Sequence, residues 1–388
     1  MSTYTPPRQT PGARSGPAPA SRTGDGVSLS TGTFAYVGCR TTVERRAEGT
    51  GLSVFRIDGT TSMWEQVQHL TGLVNPSFLA WGQNGRHLYV VHGDHREVSA
   101  FAVESGTGRL EALGTVSCGG TNPVHLTVLD GRTLAVANYA SGSIALISIG
   151  DDGSLAPAPR QVLELAPYTA GKPSQPHQIL PGPHSKTLVV PDKGADAVHL
   201  IDYEDGRLRL ADTVPAEPGA GPRHAVFHAS IRRLYVVNEL ASTVTTYAYT
   251  QALDADHAHA TAVRSLIPMQ TLPTVPAGSG VTTAAGIVAT TDGSSVYISN
   301  RGHNSVAHYR VDPDSGLLTP AGWYPTEGDC PRFLTLDPAG SRLYVANELS
   351  STIISFAVDP RTGELQREPF TLQTGSPVCT VFTPSPLG

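Results

Sequence analysis

The chain has 388 residues, 39% of them hydrophobic and 15% charged, with 40 glycines and 31 prolines. That balance excludes a disordered or fibrous polypeptide and describes a turn-rich globular one. The formal net charge of −6 argues against a nucleic-acid binder, because a phosphate backbone calls for a basic surface.

Residues 1–30 are rich in proline, glycine and serine and lack the apolar stretch of a secretory signal. They are expected to form a disordered tail, leaving one domain over 31–388. No run of about 18 apolar residues follows, so no membrane span is expected. Cys39, Cys118, Cys330 and Cys379 lie far apart and have no metal-type spacing. Reduced thiols and a cytoplasmic location are the default reading.

From residue 33 onward one apolar pattern recurs: AYVG at 35–38, LYVV at 88–91, LAVA at 134–137, LVVP at 188–191, LYVV at 234–237, VYIS at 296–299 and LYVA at 343–346. The copies have a mean spacing of about 51 residues, close to the period of a four-stranded propeller blade. Their β-branched and aromatic content suits buried strands. A polar turn and a second alternating strand follow each copy, as in STVTTYAY (242–249), NSVAHYRV (304–311) and STIISFAV (351–358). Hairpin signals and a further strand come next, as in SGTGRLEAL (105–113), DDGSLAPA (151–158) and EDGRLRLA (204–211). A fourth strand precedes the pattern, as in FLAWG (78–82), HAVFH (224–228) and RFLTL (332–336).

Seven such units with no long amphipathic helix predict an all-β, seven-bladed β-propeller. The first unit lacks an inner strand, and SPVCTVFTP (376–384) is an inner strand without a unit. Pairing the two chain ends in one blade would close the ring and remove its open edges. A closed ring also makes a monomer the default.

In a blade whose strands run from the axis outward, the start of the first strand and the end of the second share one face of the ring. Ser77, His177, Arg223, Ala285 and Arg332 occupy the same position at the first strand's start, most of them after a proline. The second strands end on Cys39, His92, Asn138, Asp192, Asn238, Asn300 and Asn347, followed by Arg40, Gly93, Tyr139, Lys193, Glu239, Arg301 and Glu348. Asparagine in the first of these columns suits a hydrogen bond to its own turn. Asn238 and Asn300 are also assigned to substrate contact. No turn requires the alternating charges of the second column. His177, Lys193, Arg223, Glu239, Arg301, Arg332 and Glu348 should therefore meet at one mouth, where each needs a partner or water to offset its desolvation.

Around these residues the motifs NPVHL (122–126), ANYASGSI (137–144), QPHQI (175–179), GPRHAVFH (221–228), VNEL (237–240), SNRGHNSV (299–306) and SPVC (376–379) resemble the seven-bladed propeller lactonase family. That family includes propeller-type 6-phosphogluconolactonase and carboxy-cis,cis-muconate cyclase. The resemblance implies that His177, Arg223, Glu239 and Arg301 are functional, and that neither metal nor cofactor is needed. Two positions depart from the family pattern. Gly286 stands where members often carry Glu, and Gly38-Cys39-Arg40 replaces a Gly-Thr-Tyr-type turn.

A lactone is opened by an activated water, with stabilisation of the developing oxyanion. His177, Glu239 and Arg223 are the expected catalytic residues, with Glu239 orienting the histidine or acting as the base itself. Arg301, Lys193, Arg332 and Glu348 are expected to bind a small anionic lactone. No Ser-His-Asp arrangement or nucleophile elbow is visible. The same residues would suit a cycloisomerase that forms a lactone from a diacid, or a non-enzymatic binding propeller. A hard cation held by Asp192, the asparagine column, His92, His177 and His303 is a further alternative, but metal-dependent propeller lactonases have six blades.

Overall fold

The computed structural model describes residues 33–384 except 60, 167–170, 184–185 and 254–259. The expected tail at 1–30 lies outside the described residues.

Seven four-stranded antiparallel sheets are present, numbered here as blades 1–7 in chain order of their second strands. Blade 1 joins the two chain ends: its inner strand Pro377–Phe382 pairs with Thr33–Cys39, which is followed by Gly51–Ile57 and Trp64–Thr71. The inner strands of blades 2, 3, 5, 6 and 7 are Pro76–Trp81, Pro123–Val128, Pro222–Phe227, Thr283–Ala289 and Pro331–Leu336. Their second strands are His87–His92, Thr133–Asn138, Arg233–Asn238, Ser295–Arg301 and Arg342–Asn347. Among the described residues the only helix is the single 3₁₀ turn Val43–Arg45.

Two blades are less regular than the repeat predicts. In blade 3 the outer strand is Gln161–Glu164, beyond the expected DDGSLAPA segment, which contributes only an isolated bridge between Ile149 and Leu155. Pro157 and Pro159 cannot donate to a ladder, so pairing resumes after them. In blade 4 the inner strand shrinks to Leu180–Pro181, next to the second strand Thr187–Asp192. Its first residues hold on through an isolated bridge from Pro176 to Asp192.

The recurring second strands are apolar on both faces because both faces are covered. Seven buried clusters sit between neighbouring blades, one at each junction of the ring. Trp64, Tyr344, Phe370 and Phe382 form the aromatic cluster at the junction of blades 7 and 1, with centroids 5.1–5.8 Å apart. The repeated tyrosine also ties blades together. The hydroxyls of Tyr36, Tyr89, Tyr235 and Tyr297 donate to the carbonyls of Gly108, Gly153, Gly316 and Gly363 in the next blade, at 2.8, 3.1, 2.9 and 2.6 Å. Tyr235→Phe should cost about 1 kcal/mol in denaturant unfolding, because the Gly316 carbonyl loses its partner. A variant as stable as the wild type would show that this bond contributes nothing.

The inner strands have one irregularity that matters for the site. In blades 2, 3, 5 and 7 the register slips between the leading proline and the residue two further on, at Pro76/Phe78, Pro123/His125, Pro222/His224 and Pro331/Phe333. Blade 6 slips between Ala284 and Ile287. A bulge leaves the extra residue out of the ladder and re-aims its side chain. The skipped residues Ser77, Val124, Arg223 and Arg332 all line one axial cavity.

Candidate functional site

The second-strand ends are pinned by a repeated backbone bond. The N–H groups of Arg40, Gly93, Tyr139, Lys193, Glu239 and Glu348 donate at 2.7–3.1 Å to the carbonyls of Ser376, Asn75, Asn122, Gln175, Gly221 and Cys330. Each acceptor immediately precedes a proline, which opens the inner strand in all of these blades except blade 4, where Pro176 makes only an isolated bridge. Gly221 has φ 65°, a left-handed conformation that suits glycine. This clamp brings the charged column and the bulge column together around the axis.

Glu239 is the hub. Its Oε1 lies 2.7 Å from Lys193 Nζ. Its Oε2 lies 2.9 Å from Arg223 Nε and 3.2 Å from Arg301 Nη2. Both guanidiniums are held from behind by the inner strand of blade 6. Arg223 Nη1 donates to the Ala285 carbonyl at 2.8 Å and Arg301 Nη2 to the Ala284 carbonyl at 3.0 Å. Gly286, in the same bulged segment, is therefore next to backbone carbonyls that occupy the arginines. Burial alone would raise the Glu239 carboxyl pKa, but Arg301, Arg223 and Lys193 override it and hold the group far below the usual carboxylate range. The carboxylate stays ionised and is a weak base.

His177 is buried, with its ring 5.7 Å from that of Tyr139 and 5.1 Å from that of His224. Its Nδ1 has no hydrogen-bond partner among the described residues. Burial, then Arg223, Arg332 and Lys193, push its pKa well below the ordinary value. The imidazole is neutral at physiological pH, whereas its residue type alone suggested a group titrating near neutrality. His224 and His125 are buried and lowered for the same first reason, His125 to about 3. Arg223 Nη1 lies 3.3 Å from His224 Nδ1. An arginine can only donate, so neutral His224 carries its proton on Nε2, which is also buried without a partner. Ser77 Oγ is a third buried polar atom without one. Ser77, His177 and His224 share the axial cavity, whose volume of about 20 Å³ holds about one water.

On the opposite side Glu348 lies 3.7 Å from Arg332 and 3.9 Å from Arg40. Of the expected site residues, His177, Arg223, Glu239, Lys193, Arg301, Arg332 and Glu348 thus gather at one mouth. Asn238 and Asn300 do not point there. Asn238 Nδ2 donates to Thr243 and Thr245 at 2.9 and 3.0 Å, and Asn300 Nδ2 to the Thr274 carbonyl at 2.9 Å. Both amides are buried; Asn238 serves its own blade's turn, whereas Asn300, like Asn138 and Asn347, donates to a carbonyl just past the preceding blade's outer strand, at Thr274, Cys118 and Thr326 respectively. Asp192 is likewise consumed by Ser174, His199 and two backbone N–H groups. His303 bonds Ser305 at 2.7 Å. Among the described residues no three His, Cys, Asp or Glu side chains are grouped to hold a metal ion.

His125, His224 and Arg40 were absent from the expected site set. The two histidines follow Pro-X in PVH and PRH, the position that Phe78 and Phe333 hold in other blades. That alignment was the available signal, but the bulge that turns both neighbouring positions toward the axis is invisible in sequence.

Comparison with known proteins agrees with this geometry. A family model described as Lactonase, 7-bladed beta-propeller matches residues 34–382. A 6-phosphogluconolactonase of Formosa agariphila is 30% identical over 355 residues, covering 86% of this chain and 96% of the relative. The 6-phosphogluconolactonase of Bacillus subtilis is 29% identical, covering 90% of this chain and 98% of the relative. Among solved structures, the periplasmic gluconolactonase of Pseudomonas aeruginosa superposes with a TM-score of 0.81 at 29% identity, covering 91% of this chain and 99% of that one. With a ring of seven blades, a charged axial mouth and a family match across nearly the whole ring, the chain belongs to the seven-bladed β-propeller lactonase family.

Proposed function

We propose that this protein hydrolyses a small anionic sugar lactone, as a 6-phosphogluconolactonase-like enzyme, at the mouth built around Glu239. The observation that carries the reading is the buried Glu239–Lys193–Arg223–Arg301 cluster beside a neutral His177 whose Nδ1 is unpartnered. Among the described residues five cations, Arg40, Lys193, Arg223, Arg301 and Arg332, face three carboxylates, Glu239, Glu348 and Asp94, the last of which is also paired with Arg45. A cationic mouth on a chain of net charge −6 suits a small anion.

In this proposal a water bonded to His177 attacks the lactone carbonyl. The imidazole takes the water's proton, and Arg223 and Arg301 stabilise the oxyanion that forms. The tetrahedral intermediate then collapses, the ring C–O bond breaks, and the proton on His177 passes to the leaving alkoxide. The product is the open hydroxy acid. Glu239 holds the guanidiniums in place and is not the base, because both of its oxygens are taken by Lys193, Arg223 and Arg301 while His177 Nδ1 has no partner among the described residues. No step calls for a metal. The relatives' names support the lactone class.

Among the described residues no helix is long and apolar enough to cross a membrane. All four cysteines are free thiols, which suits a reducing cytoplasm, and the closed ring suits a monomer.

The test follows hydrolysis of freshly generated 6-phosphoglucono-δ-lactone, with spontaneous opening subtracted, beside glucono-δ-lactone and a carboxymuconate. Turnover of a lactone well above the spontaneous rate is expected. Turnover of the muconate alone would replace hydrolysis with cyclisation, and no turnover of any of the three would leave a binding propeller.

A further inference from the structure

The turn that leads into a blade's third strand ends on a residue in the left-handed region in five blades: Gly142, Asp196, Ser242, Asn304 and Ser351, with φ between 49° and 63°. In four of them the side chain reaches across the junction to the residue that precedes the next blade's inner strand. Ser242 Oγ donates to the Thr282 carbonyl at 2.9 Å, Asn304 Oδ1 accepts the Cys330 N–H at 3.1 Å, and Ser351 Oγ accepts the Ser376 N–H at 3.2 Å. Asp196, just before the third strand Ala197–Glu204 of blade 4, is the charged member of the series. Its Oδ1 accepts the Gly221 N–H and its Oδ2 the Gly219 N–H, both at 2.9 Å, and Lys172 Nζ pairs with Oδ2 at 2.5 Å.

Those two glycines belong to the loop 216–221 that leads into blade 5. Both have positive φ, 82° and 65°, so this loop rests on the residue type with the least intrinsic preference for one conformation. Asp196 holds it at three points, because its carbonyl also accepts the Ala216 N–H at 2.8 Å. The Gly221 peptide passes the constraint on. Its N–H is held by Asp196, its carbonyl accepts the Glu239 N–H at 2.7 Å, and two residues further on stands Arg223 at the bulge. The N–H groups of Leu240 and Ala241 bond the same loop, at the Ala220 carbonyl. One buried carboxylate in blade 4 thus fixes where Glu239, and the guanidinium 2.9 Å from it, leave the backbone of blade 5. An ionised acceptor makes bonds roughly twice as strong as a neutral one, and it stands at the junction that carries the Glu239 cluster.

We infer that Asp196 is a positioning residue for the reaction at the mouth, setting the aim of Glu239 and Arg223 through the Gly221 peptide. The inference rests on the lactonase reading for the chemistry it serves. Both carboxylate oxygens of Asp196 are occupied by Gly219, Gly221 and Lys172, so it acts on the loop and not on the substrate. Stabilisation of an oxyanion depends on donors that are aimed before the reaction begins, and a displacement of about 1 Å from a distant substitution costs ~10²-fold in rate.

The experiment pairs steady-state kinetics on glucono-δ-lactone with hydrogen–deuterium exchange over 216–224 and 236–241, on the full chain as wild type, Asp196→Asn and Asp196→Gly. Glycine removes the side chain and keeps the left-handed backbone unstrained, as Gly142 does in blade 3, whereas asparagine tolerates the same φ and keeps one acceptor oxygen. Asp196→Gly should lower kcat about 10²-fold with KM within about threefold of wild type, and Asp196→Asn about tenfold. Exchange in both segments should quicken in the same order. Tm and near-UV circular dichroism would establish that the assayed variants are folded. Should Asp196→Gly fail to fold, Asp196→Asn carries the same test with its smaller expected loss. Wild-type kcat in the folded variants, or a lower kcat with unchanged exchange, would overturn the inference. A wild type that opens no lactone, with exchange over 236–241 quickened in the variants, would refute the lactonase reading and leave the aiming of Glu239 by Asp196 standing. An active wild type whose variants keep its kcat would do the reverse.

Discussion

Glu239→Gln is expected to be the most damaging single substitution in the mouth. It preserves shape and removes the one charge that Lys193, Arg223 and Arg301 share. Three cations then remain crowded in a site where Glu239 is 6% exposed and Arg223 3% exposed. Breaking a buried charge cluster from one side typically costs about 3–5 kcal/mol. The loss should appear as a Tm lower by roughly 5–10 °C. Activity on the preferred lactone should fall ~10²-fold or more, because the arginines lose the anchor that aims them.

The pH dependence of this loss has a definite sign. A carboxylate whose folded pKa is depressed contributes stability that is present above its unfolded pKa, about 4.3, and lost as pH falls toward the folded value. Wild type and Glu239→Gln should differ most near neutrality and converge in acid below about pH 4. Urea unfolding at a series of pH values checks this. A variant of wild-type stability at pH 7 would mean that the three cations are sufficiently solvated to need no partner.

His177→Gln is the second large effect. If the imidazole moves the proton, its loss should lower kcat/KM by about 10²–10⁴-fold while the fold survives. The wild-type pH profile should carry the mark of the buried ring. Burial disfavours the imidazolium, and Arg223, Arg332 and Lys193 disfavour it further. The acid limb of kcat/KM should therefore lie well below pH 6.5, with a flat profile from about pH 6 to 7.5. Glucono-δ-lactone is the substrate for this measurement, because a phosphate ester would titrate in the same range. Arg332→Gln removes one of the repelling cations and should move the acid limb toward higher pH. A limb at the ordinary histidine value, or a His177→Gln enzyme with wild-type rates, would remove His177 from the chemistry.

Much of the fold was legible because its rule is local and repeated. A tyrosine-centred apolar strand, a polar turn and a glycine hairpin recur down the chain, and an unpaired strand at each end calls for closure. The places where the reading slipped are also local. Pro157 and Pro159 displaced the outer strand of blade 3, and blade 4 lost most of its inner ladder. The candidate site was legible in part for the same reason, since aligned repeats place aligned residues on one face. That logic brought His177, Arg223, Glu239, Lys193, Arg301, Arg332 and Glu348 together.

What one strand's register cannot reveal is where a side chain's partners come from. Asn238 and Glu239 are neighbours in sequence, yet the first turns into its blade's own Thr243 and Thr245 and the second faces Lys193, Arg223 and Arg301. Alternation along the strand separates them, and only the closed ring supplies the second residue's partners.

The sequence by itself determined the architecture, because hydrophobic period, turn chemistry and an unpaired strand at each end depend on neighbours along the chain. The tertiary structure alone decided the electrostatics: that Glu239 is held ionised, that His177 is neutral, and that Arg40 faces the axial cavity. Those properties depend on burial and on charges contributed by different blades, and Coulomb interactions and desolvation follow distance in space, not separation in sequence.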